Sequence, residues 1–199
     1  EVLHLKKCAE ENKVNLMAGH VMLFHSAIQK IKALIESGVI GELQYIYSNR
    51  LNLGIVRTEE NVFWSLAPHD IAIFQYFTES KPERITSNGG VFLQEGIHDT
   101  TLTVLEYDNN VKGHIFVSWL HPFKEHRLVV VGSQGMIRFE DSLSEKPLIF
   151  YDKSIDWDGD KPIPKEGSSY QIDYDNSLPL DIELDYFIKH LDGTPLKLA

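Results

Sequence analysis

Between residues 83 and 174 the chain breaks into short stretches of alternating or clustered apolar and β-branched residues, each bounded by turn formers, so this half has to be mostly sheet. The stretches are 83–92, 100–107, 111–120, 126–131, 136–139, 147–151 and 170–174. Asp108-Asn109-Asn110 reads as a tight hairpin turn and Gly132-Ser133-Gln134-Gly135 as another, which makes the pairing largely antiparallel. Helical spacing is confined to a few segments. Val2, Leu5, Cys8 and Ala9 mark a surface helix over 2–12, and Ile28, Ile31, Leu34 and Ile35 mark one over 26–37 with Gly38 as its stop. Pro68 introduces a helix to about Phe77, and Leu180, Leu184, Phe187, Ile188 and Leu191 line one side of a last helix over 180–191. The expected fold is α+β, an open mixed and largely antiparallel sheet with helices on one face. The other face is left free for a neighbouring subunit or domain.

Residues 13–21 read as a short buried strand, so the first 22 residues are expected to be one helix and one strand of a βα repeat. One such repeat cannot form a nucleotide-binding sheet. Residues 43–53 alternate Leu43, Tyr45, Tyr47, Asn49, Leu51 and Leu53 against Gln44, Ile46, Ser48, Arg50 and Asn52, a half-covered strand whose polar second face is a candidate site wall. Residues 54–61 read as a polar loop.

Charge and cysteine content narrow the function classes. With 29 acidic against 19 basic residues the net charge is −10, without the positive patch that a phosphate backbone requires, so nucleic acid is not an expected partner. The lone Cys8 offers no disulfide or zinc pair, the apolar runs are too short for a membrane span, and the N-terminal residues do not read as a signal peptide. A soluble cytoplasmic protein is expected.

The chemistry candidates centre on Trp64-Ser65-Leu66-Ala67-Pro68-His69-Asp70. At a helix start, free backbone N–H groups lower an imidazole pKa, and a neutral His69 there could accept a hydroxyl proton as a hydride leaves the same carbon. A histidine that only caps and packs is the alternative. Asp70 serves the first helical turn electrostatically, and Trp64 either stacks on a sugar or nicotinamide ring or packs into the core. Arg50, Arg57, Lys124 and Arg127 could pair with a substrate carboxylate or phosphate, or be solvated surface charge. His121 with His126, and His98-Asp99, lack the partners of a metal site, so none is expected. Asp156-Trp157-Asp158-Gly159-Asp160 resembles the start of a calcium loop, but Gly167 stands where the closing glutamate belongs, and a polar loop is expected. A nucleophile elbow, a phosphate-binding lysine loop and Gly-x-Gly-x-x-Gly are all missing.

Four segments in order, 18–25 (AGHVMLFH), 31–41 (IKALIESGVIG), 64–71 (WSLAPHDI) and 130–136 (VVGSQGM), resemble the Gfo/Idh/MocA oxidoreductases, and most of all the branch acting on free or nucleotide-linked sugars. The resemblance implies an N-terminal Rossmann domain binding NAD or NADP, and a C-terminal domain that shapes the substrate site and forms dimer contacts. It assigns residues 1–22 to the end of the cofactor domain and 23–199 to the substrate-binding and oligomerisation domain. The glycine loop and the Glu-Lys-Pro segment that supplies a catalytic lysine have no counterpart here, so tight cofactor binding by this chain is not expected. The family's Asp-x-x-x-His matches at His69, with Ser65 at the Asp position and Ala72 where a further Asp often follows. Serine can hydrogen-bond but cannot supply the negative charge that stabilises an imidazolium. Arg50, Arg57, Trp64 and Lys124 fall around the implied substrate cleft. The implied function is an NAD(P)-dependent dehydrogenase acting on a sugar-like hydroxyl in the full-length parent, with this chain inactive alone; a non-catalytic ligand-binding or dimerisation domain is the alternative.

Overall fold

In the computed structural model, which describes residues 1–198, the sheet is organised around β1 (Leu43–Leu51). This strand runs parallel to β4 (Lys112–Ser118) on one side and antiparallel to β5 (Glu125–Gly132) on the other. Outward from β4 lie β3 (Thr100–Glu106) and the edge strand β2 (Arg84–Gly90); outward from β5 lie β6 (Met136–Glu140), β7 (Leu148–Tyr151) and β10 (Ser169–Gln171). The result is an eight-stranded sheet, antiparallel except where β1 meets β4. The expected mixed, mostly antiparallel α+β architecture is therefore the one observed.

Period-two alternation decides which side chains meet the helices. On β1, Ile46, Ser48 and Arg50 are buried, whereas Tyr45, Tyr47 and Asn49 stay half-exposed on the open face. The polar second face of this strand is thus its covered one. Helices α2 (Ser26–Glu36) and α3 (Val62–Thr78) close over it, setting Ile28, Ile31, Ile73 and Phe74 against Ile46, Ile115, Val117, Leu128 and Val130. Burying side chains of this size contributes roughly 1.5–3 kcal/mol each. The His25 ring caps α2 by accepting the Ala27 N–H at 3.1 Å, and Gly38, at φ +73°, takes the left-handed turn after it.

Three expectations fail. Residues 13–20 form no strand: Val14 and Leu16 are exposed, no strand among the described residues pairs with them, and Val21–Phe24 is a single 3-10 turn. A strand has no stability without a neighbour to receive its N–H and C=O groups. The preceding helix α1 (Val2–Asn12) is as expected, but it buries none of its residues.

Second, α3 begins at Val62 rather than at Pro68. Asn61 caps it by accepting the Trp64 N–H at 3.1 Å, and Pro68 sits inside, where its missing N–H leaves the Trp64 carbonyl without its usual donor. His69 therefore lies two turns into the helix and not at its mouth. Third, the expected polar loop around Asp156–Asp160 is a hairpin, β8 (Ser154–Asp158) and β9 (Lys161–Lys165), turned at Gly159, φ +60°. The last helix, α4 (Pro179–Lys189), falls where expected, but Leu180, Leu184 and Ile188, which marked its apolar side, are exposed, and Glu183 is its buried residue.

Gly132 ends β5 where the chain at Ile40 crosses it: a Cβ there would stand 2.2 Å from the Ile40 carbonyl oxygen. The Ile40 backbone is no flexible group that could yield, so Gly132→Ala should lose about 1–3 kcal/mol of stability in urea unfolding.

Candidate active site

At the end of β1, the Arg50 guanidinium turns into the sheet–helix interface and meets Asp70 of α3. Nε donates to Oδ2 at 2.9 Å and Nη2 to Oδ1 at 3.1 Å, so both carboxylate oxygens are engaged. The two side chains are 11% and 3% exposed. A forked pair of this kind satisfies the planar geometry of both ions, without which burying either charge would cost several kcal/mol. Asp70 therefore does not serve a first helical turn, and Arg50 is neither solvated nor free for a substrate.

The register of β1 with β5 sets His126 directly beside Arg50. Burial, Arg50 and Lys124 together push the His126 imidazole down to about 4, against the opposing pull of Asp141 and Asp70. Asp141 is fixed there by its own N–H, which donates to the His126 carbonyl at 2.9 Å. These groups close around a crevice of only 10 Å³, lined also by Met22 and Asn49, the size of a water site and not of a substrate.

His69 is half-buried beside this pair. Its pKa is lowered by burial first, then by Arg50 and His20, with Asp70 opposing. The lowered imidazole pKa expected from the sequence is found, but burial and the Arg50 guanidinium produce it, not the N–H groups of a helix start. A neutral ring with an available lone pair can accept a proton at neutral pH.

The remaining sequence candidates lie further out. Trp64 is 68% exposed in the first turn of α3, neither core nor stacked on a described ring, and Ser65 stands one helical turn before His69. Arg57 is exposed in the loop before α3, where its carbonyl accepts from Gln94 Nε2 at 2.9 Å and its Nε is 3.9 Å from Glu60. Lys124 is exposed just before β5, near enough to His126 to act on it. Arg127 points to the open face, where it pairs with Glu140 and Glu125. The structure thus gathers Arg50, Asp70, His69 and His126, with Lys124 at the rim, and leaves Arg57 and Trp64 in solvent.

His20 and Asp141 were not singled out from sequence. His20 sits just before the 3-10 turn and acts electrostatically on His69, yet only the register and packing of distant segments bring it there. His126 could have been reached by pairing 43–53 with 126–131. Among the described residues no group of three or more His, Cys, Asp or Glu is arranged to hold a metal ion, and no helix is long and apolar enough to cross a membrane.

Residues 28–138, more than half of the chain, match the model of the GFO/IDH/MocA C-terminal domain, and the chain belongs to that family. Among curated proteins it is 29% identical over 149 residues to an uncharacterized oxidoreductase of Streptococcus pneumoniae, covering 66% of this chain and 40% of that one. It is 24% identical over 156 residues to the 2,7-anhydro-N-acetylneuraminate hydratase of Escherichia coli, covering 70% and 41%. The chain thus spans well under half the length of these relatives. Among solved structures, UDP-N-acetylglucosamine 3-dehydrogenase from Acidithiobacillus ferrooxidans superposes with a TM-score of 0.78 at 17% identity, over 97% of this chain and 59% of that one. An inositol dehydrogenase homolog from Azotobacter vinelandii, complexed with NADH and myo-inositol, does so with 0.75 at 16%, over 96% and 56%. At these identities the structural likeness speaks for the fold.

Two outcomes follow from the buried charges. Asp70→Ala strips Arg50 of its forked partner and should cost about 3–5 kcal/mol in chemical unfolding, far more than an exposed Asp→Ala. His126, held at about 4 in the folded chain, binds its proton more readily when unfolded, so its contribution is complete above pH 6.5 and drains away as pH falls from there toward 4. That drop is worth roughly 3 kcal/mol. In His126→Asn the unfolding free energy should fall by about that much less between pH 7.5 and 4.5.

Proposed function

We propose that this chain is the substrate-binding and oligomerisation domain of an NAD(P)-dependent oxidoreductase that acts on a sugar or nucleotide-sugar hydroxyl, with residues 1–22 belonging to the end of its cofactor domain. One observation carries this reading: His69, at the family's histidine position, is half-buried and kept neutral by burial, Arg50 and His20. Relatives named for sugar substrates, one solved with NADH, support it. The uncovered apolar side chains Val2, Leu3, Leu5, Val14 and Leu16 fit a helix and linker that pack against the rest of a cofactor domain.

In this reading NAD or NADP, held by the parent's other domain, supplies the hydride acceptor. The residues here bind the hydroxyl-bearing carbon against His69, and Nδ1 or Nε2 of that ring takes the hydroxyl proton. Arg50 and Asp70 hold the floor beneath it, so Arg50 acts as scaffold. Trp64 offers an exposed ring for the apolar face of a sugar, and Arg57 and Lys124 are exposed cations for a carboxylate or phosphate on it. The open face of the sheet, with Leu102 and Val104 exposed and Tyr47 stacked on His114 at 5.1 Å, is the surface for a second copy. A cytoplasmic setting fits the single free cysteine.

Ser65 favours a second reading, a domain kept for binding or assembly without catalysis, because the family's carboxylate is missing from that turn. The two separate in the full-length parent. His69→Ala should lower kcat by about 10²–10⁴ at saturating substrate if the ring moves the proton. An unchanged kcat would select the non-catalytic domain.

A further inference from the structure

Strand β2 is the last on its side of the sheet: β3 pairs with one of its edges, and no strand among the described residues pairs with the other. A bare edge presents a row of N–H and C=O groups on which another strand can form, and folds guard it with lysine, proline, a bulge or a cover. This edge has no such guard. Residues 85–89 carry neither charge nor proline, the register with β3 runs unbroken over seven residues, and six of the seven are exposed. Helix α3 does not cover the strand, since Ile85 is 60% exposed although it lies opposite the buried Leu105. Two glycines end the strand, and a ring leans over each. A Cβ on Gly89 would stand 2.5 Å from Cδ2 of His98, on the face toward the helices. One on Gly90 would run into the Phe92 ring on the open face, and that ring is 69% exposed.

We propose that β2 is a pairing edge for a second copy of this chain, the two strands meeting antiparallel about a two-fold axis at Ser87 so that the two sheets run into one. The sequence of the strand is complementary to itself in that register. Ser87 meets the partner's Ser87, Thr86 meets the partner's Asn88, Ile85 meets the partner's Gly89, and Arg84 meets the partner's Gly90. Each large side chain thus lands on a glycine and on the ring beside it. Ile85 reaches the partner's His98 on the helix side, and the Arg84 side chain, 74% exposed, reaches the partner's Phe92 on the open side, where a guanidinium over a ring is favourable. Like charges do not meet, because Arg84 is the one charged residue of the strand and faces glycine. The contact is distinct from the open-face surface proposed above, which it leaves uncovered, and it does not depend on that surface or on His69.

The test is the mass of the whole 199-residue chain in solution, followed by analytical ultracentrifugation. Ser87→Lys and Ser87→Glu, at an exposed position, each set a charge against its own copy on the axis. Each should halve the wild-type mass, from two copies to one, or from four to two where the open face is occupied as well. An equal mixture of the two variants should recover the wild-type mass, because lysine then faces glutamate. A wild-type chain that sediments as a single copy at every concentration overturns the proposal, and so does a mixture that stays at the halved mass. A mass unchanged in both variants also overturns it, and leaves the open-face pairing standing. Should neither Ser87 variant fold, Arg84→Ala is the check: losing two Arg84–Phe92 contacts should raise the dissociation constant about five- to thirtyfold. An unchanged constant would equally overturn the proposal.

Discussion

A guanidinium buried under a helix must find a carboxylate at one position, and that requirement ties the middle of the sheet to the middle of α3. Arg50 reaches out of β1 and Asp70 reaches down from the helix, and their fork sets where α3 lies along its groove. The apolar packing of Ile73 and Phe74 against Ile46 and Ile115 would tolerate sliding by part of a turn. A pair of directed hydrogen bonds would not. The neighbouring residue on the helix, His69, inherits its depth and its electrostatic surroundings from this fork.

The same ion pair divides labour in the site. A residue that looks from its type like a ligand for an anion is spent on the protein's own carboxylate, and its charge then acts at a distance on two imidazoles. His126 is the more strongly affected, and it lies in a crevice too small for anything but water. His69 is half-buried beside the same ion pair, and burial and Arg50 lower its pKa as well.

Sheet content, helix spacing and family membership were legible because they depend on local periodicity and turn chemistry. The start of α3 was not, because Pro68 is a strong helix-opening signal and the Asn61 cap a weaker one, yet six residues of helix precede the proline. The 13–20 segment carries strand-like residues with nothing to pair them, so composition alone misreads it. The hairpin at 154–165 was hidden behind acidic residues that suggested a loop, although Gly159-Asp160 is an ordinary two-residue turn. At the site, His69 could be found from a motif. Asp141 could not, since nothing in its own neighbourhood sets it apart, and His20, though it lies in the 18–25 segment, is brought near only by tertiary packing.

The position of β1 at the centre of the sheet has a consequence for how the molecule is made. Strands β2, β3 and β4 form one meander of neighbours in sequence, and β5, β6 and β7 form another. The strand between them comes earlier in the chain: Ile46 pairs with Gly113 on one side and Val130 on the other. Local hairpins close faster than such distant pairs, so both meanders can exist before β1 is in place. Until it arrives, β4 and β5 each present a bare, strongly apolar edge, and the short Trp119–Lys124 connection allows those edges to join each other directly. Correct assembly therefore depends on β1 entering a gap that could close without it. The Arg50–Asp70 fork, available only to the inserted strand, gives that entry a stabilisation that the closed-up sheet lacks.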